Sequence, residues 1–208
     1  NQIYTETGSA ILRYGWNPGQ LTFTGPDTIV SGLPGDKSHT AKTFAIRGND
    51  IFVNHGSPSN SCQEKDRVPG SKGLDPCPEL ATRAGIWRYD RNREGQKLAD
   101  GQRFATGIRN AVAIAFNGSQ LYVGQHGRDM LSNNWPATFS DDKSAENPAE
   151  ELFQVMPGDD FGWPYCYYDV DLKKKVLAPE YGGDGSTVGR CSAKSGNVGT
   201  FPGHWAPN

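Results

Sequence analysis

The sequence predicts an all-β fold, and within that class a β-propeller of which the chain supplies roughly three to three and a half blades. Three observations carry this. Three segments share one grammar: Asn1-Gln2-Ile3-Tyr4, Asn49-Asp50-Ile51-Phe52-Val53 and Ser119-Gln120-Leu121-Tyr122-Val123 each set polar turn residues before a short apolar-aromatic strand. The step Asn117-Gly118 between two β-rich runs signals a hairpin, because both residues tolerate positive φ. Finally, 26 glycines, 14 prolines and an aromatic content of 11% suit many short strands and turns, whereas a disordered chain would lack the aromatics.

Each of the three strands runs into a glycine loop, at Thr7-Gly8, His55-Gly56 and His126-Gly127. A second strand follows each loop: residues 10–14 (AILRY), 85–89 (GIWRY) and 151–155 (ELFQV), the first two nearly the same words. A third strand is expected around Thr28–Ser31, with its counterpart around Arg103–Thr106. Each then leads through Gly-Leu or Gly-Ile into the next apolar hairpin, the later one opening with the run 111–116. Four short strands per unit at a spacing of tens of residues mark a propeller. The spacing stretches from about fifty to about seventy residues, against roughly 40–50 in compact repeats. The excess lies after His55 and after His126, and long loops on a regular scaffold are where binding concentrates.

The expected organisation is one propeller domain over 1–208. Residues 1–32 end one blade, 33–106 form a second, 107–164 a third, and 165–208 a loop and the start of the next. Propellers close with about 4–8 blades, so the chain reads as about half of a ring. The remainder is expected from further polypeptide or a second chain. Asn1 opens the sequence without an initiator methionine or a signal peptide, which leaves processing or a longer parent as the readings.

A net charge of −2 argues against nucleic acid as a partner. No apolar run approaches the length needed to cross a bilayer. Cys62, Cys77, Cys166 and Cys191 lack the close pairs of zinc sites. They read as local pairs, Cys62 with Cys77 and Cys166 with Cys191, or as four buried thiols. Disulfides imply an oxidising compartment, and Asn117-Gly118-Ser119 is a glycosylation sequon. A secreted or periplasmic location is therefore expected.

In a hairpin the entrance of the first strand and the exit of the second share one end. Arg109-Asn110 is thus placed beside His126-Gly127-Arg128, and Ser38-His39 beside His55-Gly56, all facing the central channel mouth. Each residue also has an ordinary reading. His39 alone is a turn histidine, and Arg109 a solvated cation beside a turn-forming Asn. His55 and His126 are loop architecture. Gly162-Trp163-Pro164 is a packing and turn feature. Tyr165, Tyr167 and Tyr168 either line a sugar site or fill a core. Asp159-Asp160 reads as a turn more than as calcium ligands. Asp141-Asp142-Lys143 with Glu146 reads as a solvated loop, and Lys173-Lys174-Lys175 as a solvated hairpin.

Gly107-Ile108-Arg109-Asn110, then Gln125-His126-Gly127-Arg128, then Asp160-Phe161-Gly162-Trp163-Pro164 follow the order and spacing of a known family. The chain resembles the soluble quinoprotein sugar dehydrogenases (glucose/sorbosone dehydrogenase family). These are six-bladed propellers that use pyrroloquinoline quinone (PQQ) and calcium. Its cysteine-bearing loops look more like the secreted fungal pyranose dehydrogenases, or sorbosone dehydrogenase-like bacterial members, than the bacterial glucose enzyme. The resemblance implies that His39 is the base taking a sugar hydroxyl proton, and that Arg109 and Asn110 hold and polarise the quinone. It also implies that backbone carbonyls of Gly127 and Arg128 ligate calcium. Two positions depart from the pattern: Ser38 stands where the family often has an acid, and Arg128 where it often has proline. His204-Trp205 is placed at the substrate mouth. Electrons would leave to an external acceptor such as a haem protein or domain. The rival reading is a cofactor-free propeller used for binding. A propeller hydrolase would want an acidic calcium funnel, which these residues do not assemble.

Overall fold

A computed structural model describes residues 1–201. Fourteen strands and a few single-turn helices make up the described residues, so the fold is all-β. Strands β1 (Gln2–Thr7), β2 (Ala10–Gly15) and β3 (Thr24–Ser31) form an antiparallel meander. The next sheet takes β4 (Phe44–Arg47), β5 (Asp50–His55) and β6 (Gly85–Asp90). The two-residue β7 (Gln96–Lys97) then leaves to pair in parallel with β3, before β8 (Gln102–Thr106) completes that second sheet. A third sheet begins with β9 (Ala111–Asn117), β10 (Gln120–Gln125) and β11 (Glu150–Val155).

The expected hairpin forms, but with Asn117 opposite Gln120, so its central pair is Gly118-Ser119 rather than Asn117-Gly118. Gly118 is the first central residue of the turn and sits at φ +58°, where an L side chain would be strained. Arg47 lies opposite Asp50 across the same kind of turn, with Gly48 at φ +57°.

Alternation along the central strands builds two cores from one sheet. Ile51 and Val53 of β5, with Trp87 and Tyr89 of β6, pack against Ile11, Ile29 and Val30 of the first sheet. Phe52 and Ile86, one residue out of phase, pack against Leu121, Val123, Phe153 and Val155 of the third. Each such aliphatic side chain contributes about 1.5–3 kcal/mol by leaving water. The three sheets are thereby stacked face to face in sequence order.

The third unit does not end at residue 164. After β11 the chain makes a separate hairpin of β12 (Cys166–Asp169) and β13 (Lys174–Leu177), and only then returns as β14 (Gly199–Phe201) to pair with β11. The fourth strand of this sheet comes from beyond the Cys166–Cys191 loop, past the boundary expected at residue 164. Two short helices, α1 (Leu131–Asn134) and α2 (Asp141–Glu146), fill the loop after β10. The acidic run 141–146 is thus a capped turn of helix, with Ser140 accepting from the Lys143 amide, rather than plain loop. Lys175 is also not solvated. It is buried, and its Nζ donates to the Glu151 carboxylate at 2.9 Å and to the Phe161 carbonyl at 2.7 Å.

Both local disulfides are present, Cys62–Cys77 and Cys166–Cys191, and no free cysteine remains. Among the described residues no helix is long and apolar enough to cross a membrane.

Candidate active site

One end of the sheets gathers the start of β4, the end of β5, the start of β9, the end of β10 and the start of β11. His39 precedes β4, Arg109 and Asn110 precede β9, and Gly127 and Arg128 follow β10. Ser57 stitches the first two groups together. His39 Nδ1 lies 2.7 Å from the Ser57 carbonyl and 3.0 Å from its hydroxyl, while the Ser57 amide donates to the Arg109 carbonyl at 2.7 Å. Gly56 marks the same junction. A Cβ there would come 2.6 Å from His39 Cβ and 3.1 Å from Asn110 Oδ1, so only glycine lets these segments meet. On the far side the Asn110 carbonyl accepts from the His126 amide at 3.1 Å. His39, Arg109, Asn110 and the 126–128 loop therefore converge on one rim.

A carbonyl can only accept, so the Ser57 contact assigns the proton to Nδ1 of a neutral His39. Nε2 is then the acceptor, and it has no hydrogen-bond partner among the described residues. Ser57 supplies the orientation that an acid before the histidine would otherwise give. Burial lowers the His39 pKa from 6.5 to about 4, and the cations Arg109 and Arg67 push the same way against the Ser57 bond and Asp129. The imidazole is neutral at any mild pH.

Arg109 is buried and held by Asn60, which sequence reasoning missed. Its Nε donates to the Asn60 carbonyl at 3.2 Å and one terminal nitrogen to Asn60 Oδ1 at 3.0 Å, with Asp129 at 3.7 Å. Nη1 has no hydrogen-bond partner among the described residues. Burial lowers this guanidinium to about 10, with Asp129 opposing, so it stays charged. Asn60 is itself buried and also binds the Asp129 backbone through Nδ2 and Oδ1. Trp163 of the Gly-Trp-Pro motif donates its indole N–H to the Asn60 carbonyl at 2.9 Å. The motif's packing role thus reaches the site through a single residue. Asn54 completes the seam between β5 and β9, donating to Asn110 Oδ1 at 3.1 Å and accepting from the Ala111 amide at 3.2 Å.

In the 126–128 loop, Glu150 Oε2 lies 3.1 Å from both His126 Nδ1 and the Gly127 amide. The carbonyls of Gly127 and Arg128 accept no hydrogen bond among the described residues. The Arg128 side chain turns inward and pairs with Glu180 at 2.9 Å through both terminal nitrogens, each group buried. Its charge is spent there. His55 is buried, stacked on Trp87 and bonded to Tyr89, so it is core. Tyr167 is likewise core, while the Tyr165 hydroxyl accepts from the Cys77 amide at 2.9 Å and ties the two disulfide loops. Asp160 accepts from the Gly162 amide and pairs with Lys194, as a turn residue would. Cys62, Cys77 and Glu79 cluster tightly, but the two sulfurs are bonded to each other and leave no thiolate for a metal. His204 and Trp205 lie outside the described residues.

The TrAA12-like family model matches residues 1–185. Among solved structures, the family AA12 carbohydrate-active enzyme of Trichoderma reesei, reported as an iodide and as a calcium structure, aligns at TM-score 0.74 and 18% identity over 98% of this chain and 53% of its own. The holo form of the pyranose dehydrogenase PQQ domain from Coprinopsis cinerea aligns at TM-score 0.72 and 18% identity, over 98% and 52%. A soluble aldose sugar dehydrogenase from Escherichia coli, in the apo-form, gives TM-score 0.53 at 14% identity, over 88% and 48%. No curated protein matches the sequence. The chain spans about half the length of these structures, and at such identities the likeness is one of fold. The resemblance to quinoprotein sugar dehydrogenases read from the motifs is borne out at that level, and the matched family makes it specific: this chain belongs to the TrAA12-like family.

Proposed function

We propose that the chain forms about half of a six-bladed propeller in a secreted quinoprotein that oxidises a sugar hydroxyl or hemiacetal. The observation that carries this is the meeting of His39, whose Nε2 is left without a partner among the described residues, with the Arg109-Asn110 pair around Ser57. A cofactor-free binding propeller would have no use for an imidazole held neutral and an arginine kept charged while buried.

The residues present suit PQQ and calcium. Arg109 Nη1 offers an uncommitted cationic donor and Asn110 an amide beside it. The open carbonyls of Gly127 and Arg128 are the hard oxygens calcium prefers, and the Arg128 charge is neutralised by Glu180. When bound, the quinone supplies a two-electron acceptor and the metal a Lewis acid. His39 Nε2 takes the hydroxyl proton, with Nδ1–H steadied by the Ser57 carbonyl. Arg109 holds positive charge where negative charge develops. Asn60 fixes Arg109. The neighbours' names support the cofactor and the sugar class: one is a PQQ domain of a pyranose dehydrogenase, another a calcium structure. The two disulfides and the Asn117 sequon, exposed at a turn, support secretion and glycosylation. We assign the rest of the ring to further polypeptide or a partner, and the electrons to an external acceptor such as a haem protein.

The test is to add PQQ and calcium to the protein and follow quinone absorbance together with dye reduction by aldoses and pyranoses. His39→Ala should keep PQQ and lose about 10²–10⁴-fold in turnover, the usual share of a general base. Arg109→Ala should also weaken PQQ retention. Absence of both quinone binding and turnover in the full protein would favour the binding-module reading.

A further inference from the structure

Outside the motifs, one buried cation faces the machinery without touching a substrate position. We propose that Arg83 is the positioning residue of the candidate base, holding the two backbone segments between which His39 is clamped. The inference rests on the role of His39 set out above and names what keeps it in place.

Arg83 lies at the end of the long loop before β6, with its side chain 5% exposed. Its Nε donates to the Gly56 carbonyl at 2.5 Å and its Nη2 to the Ser38 carbonyl at 3.1 Å. Gly56 immediately precedes Ser57, whose carbonyl accepts the hydrogen bond from His39 Nδ1–H. Ser38 immediately precedes His39 itself. One rigid fork thus binds the peptide before the base and the peptide before the group that orients it. A lysine, a single point charge on a flexible stem, cannot span both.

His39 needs such a clamp. Its φ is +54°, a left-handed conformation that strains a non-glycine residue and persists only where surroundings over-determine it. Arg83 is itself anchored, its amide donating to the Glu79 carbonyl at 2.9 Å. The third arm of the fork reaches Asp36 at 3.1 Å, but that carboxylate is 70% exposed, and an exposed partner contributes little. The two carbonyl bonds therefore carry the function. The charged groups that bear most on the imidazole are Arg109, Arg67 and Asp129, so Arg83 acts chiefly through the two carbonyl bonds, and the charge-keeping Arg83→Lys variant isolates that part. Losing Arg83 should move His39 by letting its segment relax and water in.

The test uses the full chain as Arg83→Met and Arg83→Lys. The His39 titration is read by NMR in cofactor-free protein, with His39→Ala to assign the signal, and turnover is read after loading PQQ and calcium. With Arg83→Met the His39 midpoint should rise from about 4 toward 6.5. PQQ should stay bound, KM should change little, and kcat should fall about 10²-fold, the scale of a 1 Å misplacement. Added guanidinium ion should restore part of kcat. Arg83→Lys, which keeps the charge and the fold but not the fork, should show the same direction to a smaller extent, and it carries the test if Arg83→Met fails to fold. An unchanged His39 midpoint in both variants would overturn the proposal. The titration also separates the two claims: if the wild-type chain oxidises no sugar, a shifted midpoint still supports the clamp.

Discussion

Acidification is the perturbation that asks most of this structure. Two histidines are held neutral inside it, His39 lowered to about 4 and His55 to about 3, burial being the first cause in each. In the unfolded chain both return to about 6.5. At pH 5.5 an ordinary histidine is roughly nine-tenths protonated, whereas His39 would be protonated in roughly one molecule in thirty. Between pH 6.5 and about 4 the unfolded state binds more protons than the native one, so stability falls as pH falls. Each histidine contributes up to about 1.4 kcal/mol per pH unit in that window, or about 2 kcal/mol by pH 5. Urea unfolding at pH 7, 6 and 5 should show the decline, and His39→Ala should remove close to half of it. NMR titration should place the His39 midpoint near 4, with Arg67→Met raising it because one of the two facing cations is gone. A His39 midpoint near 6.5, with stability flat from pH 7 to pH 5, would refute the burial and charge argument together.

The remaining expectations concern what surrounds the site. Glu180→Gln strips the partner from a buried Arg128 and should cost about 3–5 kcal/mol in urea unfolding. It also breaks the node at which Ser61, Arg128 and Trp135 meet one carboxylate. Replacing Cys62 and Cys77 by serine opens a loop of 15 residues and should cost about 3 kcal/mol, read as the difference in urea unfolding between this variant and the wild type, both without reductant. Asn60→Ala removes the side-chain acceptor of the Arg109 guanidinium and leaves the backbone one; it should cost about 1.5–3 kcal/mol, with PQQ retention by equilibrium dialysis falling alongside.

Why some of this was legible in the sequence, and some not, follows from how local each constraint is. The period-2 alternation of Ile51, Phe52 and Val53 writes the two-sided core directly into adjacent residues. The Gly118 and Gly48 turns write the hairpin register the same way, and register plus strand length puts His39, Arg109 and His126 at one end without reference to anything distant. The inserts obey no such rule. Glu180 reaches Arg128 because two inserts are packed together in space, and Lys175 reaches Glu151 because the β12–β13 hairpin packs against β11, and neither insert has a repeat to betray it. The return of β14 is hidden for the same reason, since three residues after a long excursion carry no pattern of their own. The consequence is a division of labour. Strands deliver the functional backbone to the rim, but a strand end leaves its side chains free to rotate. Asn60, Ser57 and Arg83 all come from the insert that follows β5, and each takes away one such freedom: the orientation of Arg109, the tautomer of His39 and the spacing of the segments that carry it. Transplanting the rim residues alone onto another four-stranded repeat would reproduce their positions and lose their chemistry.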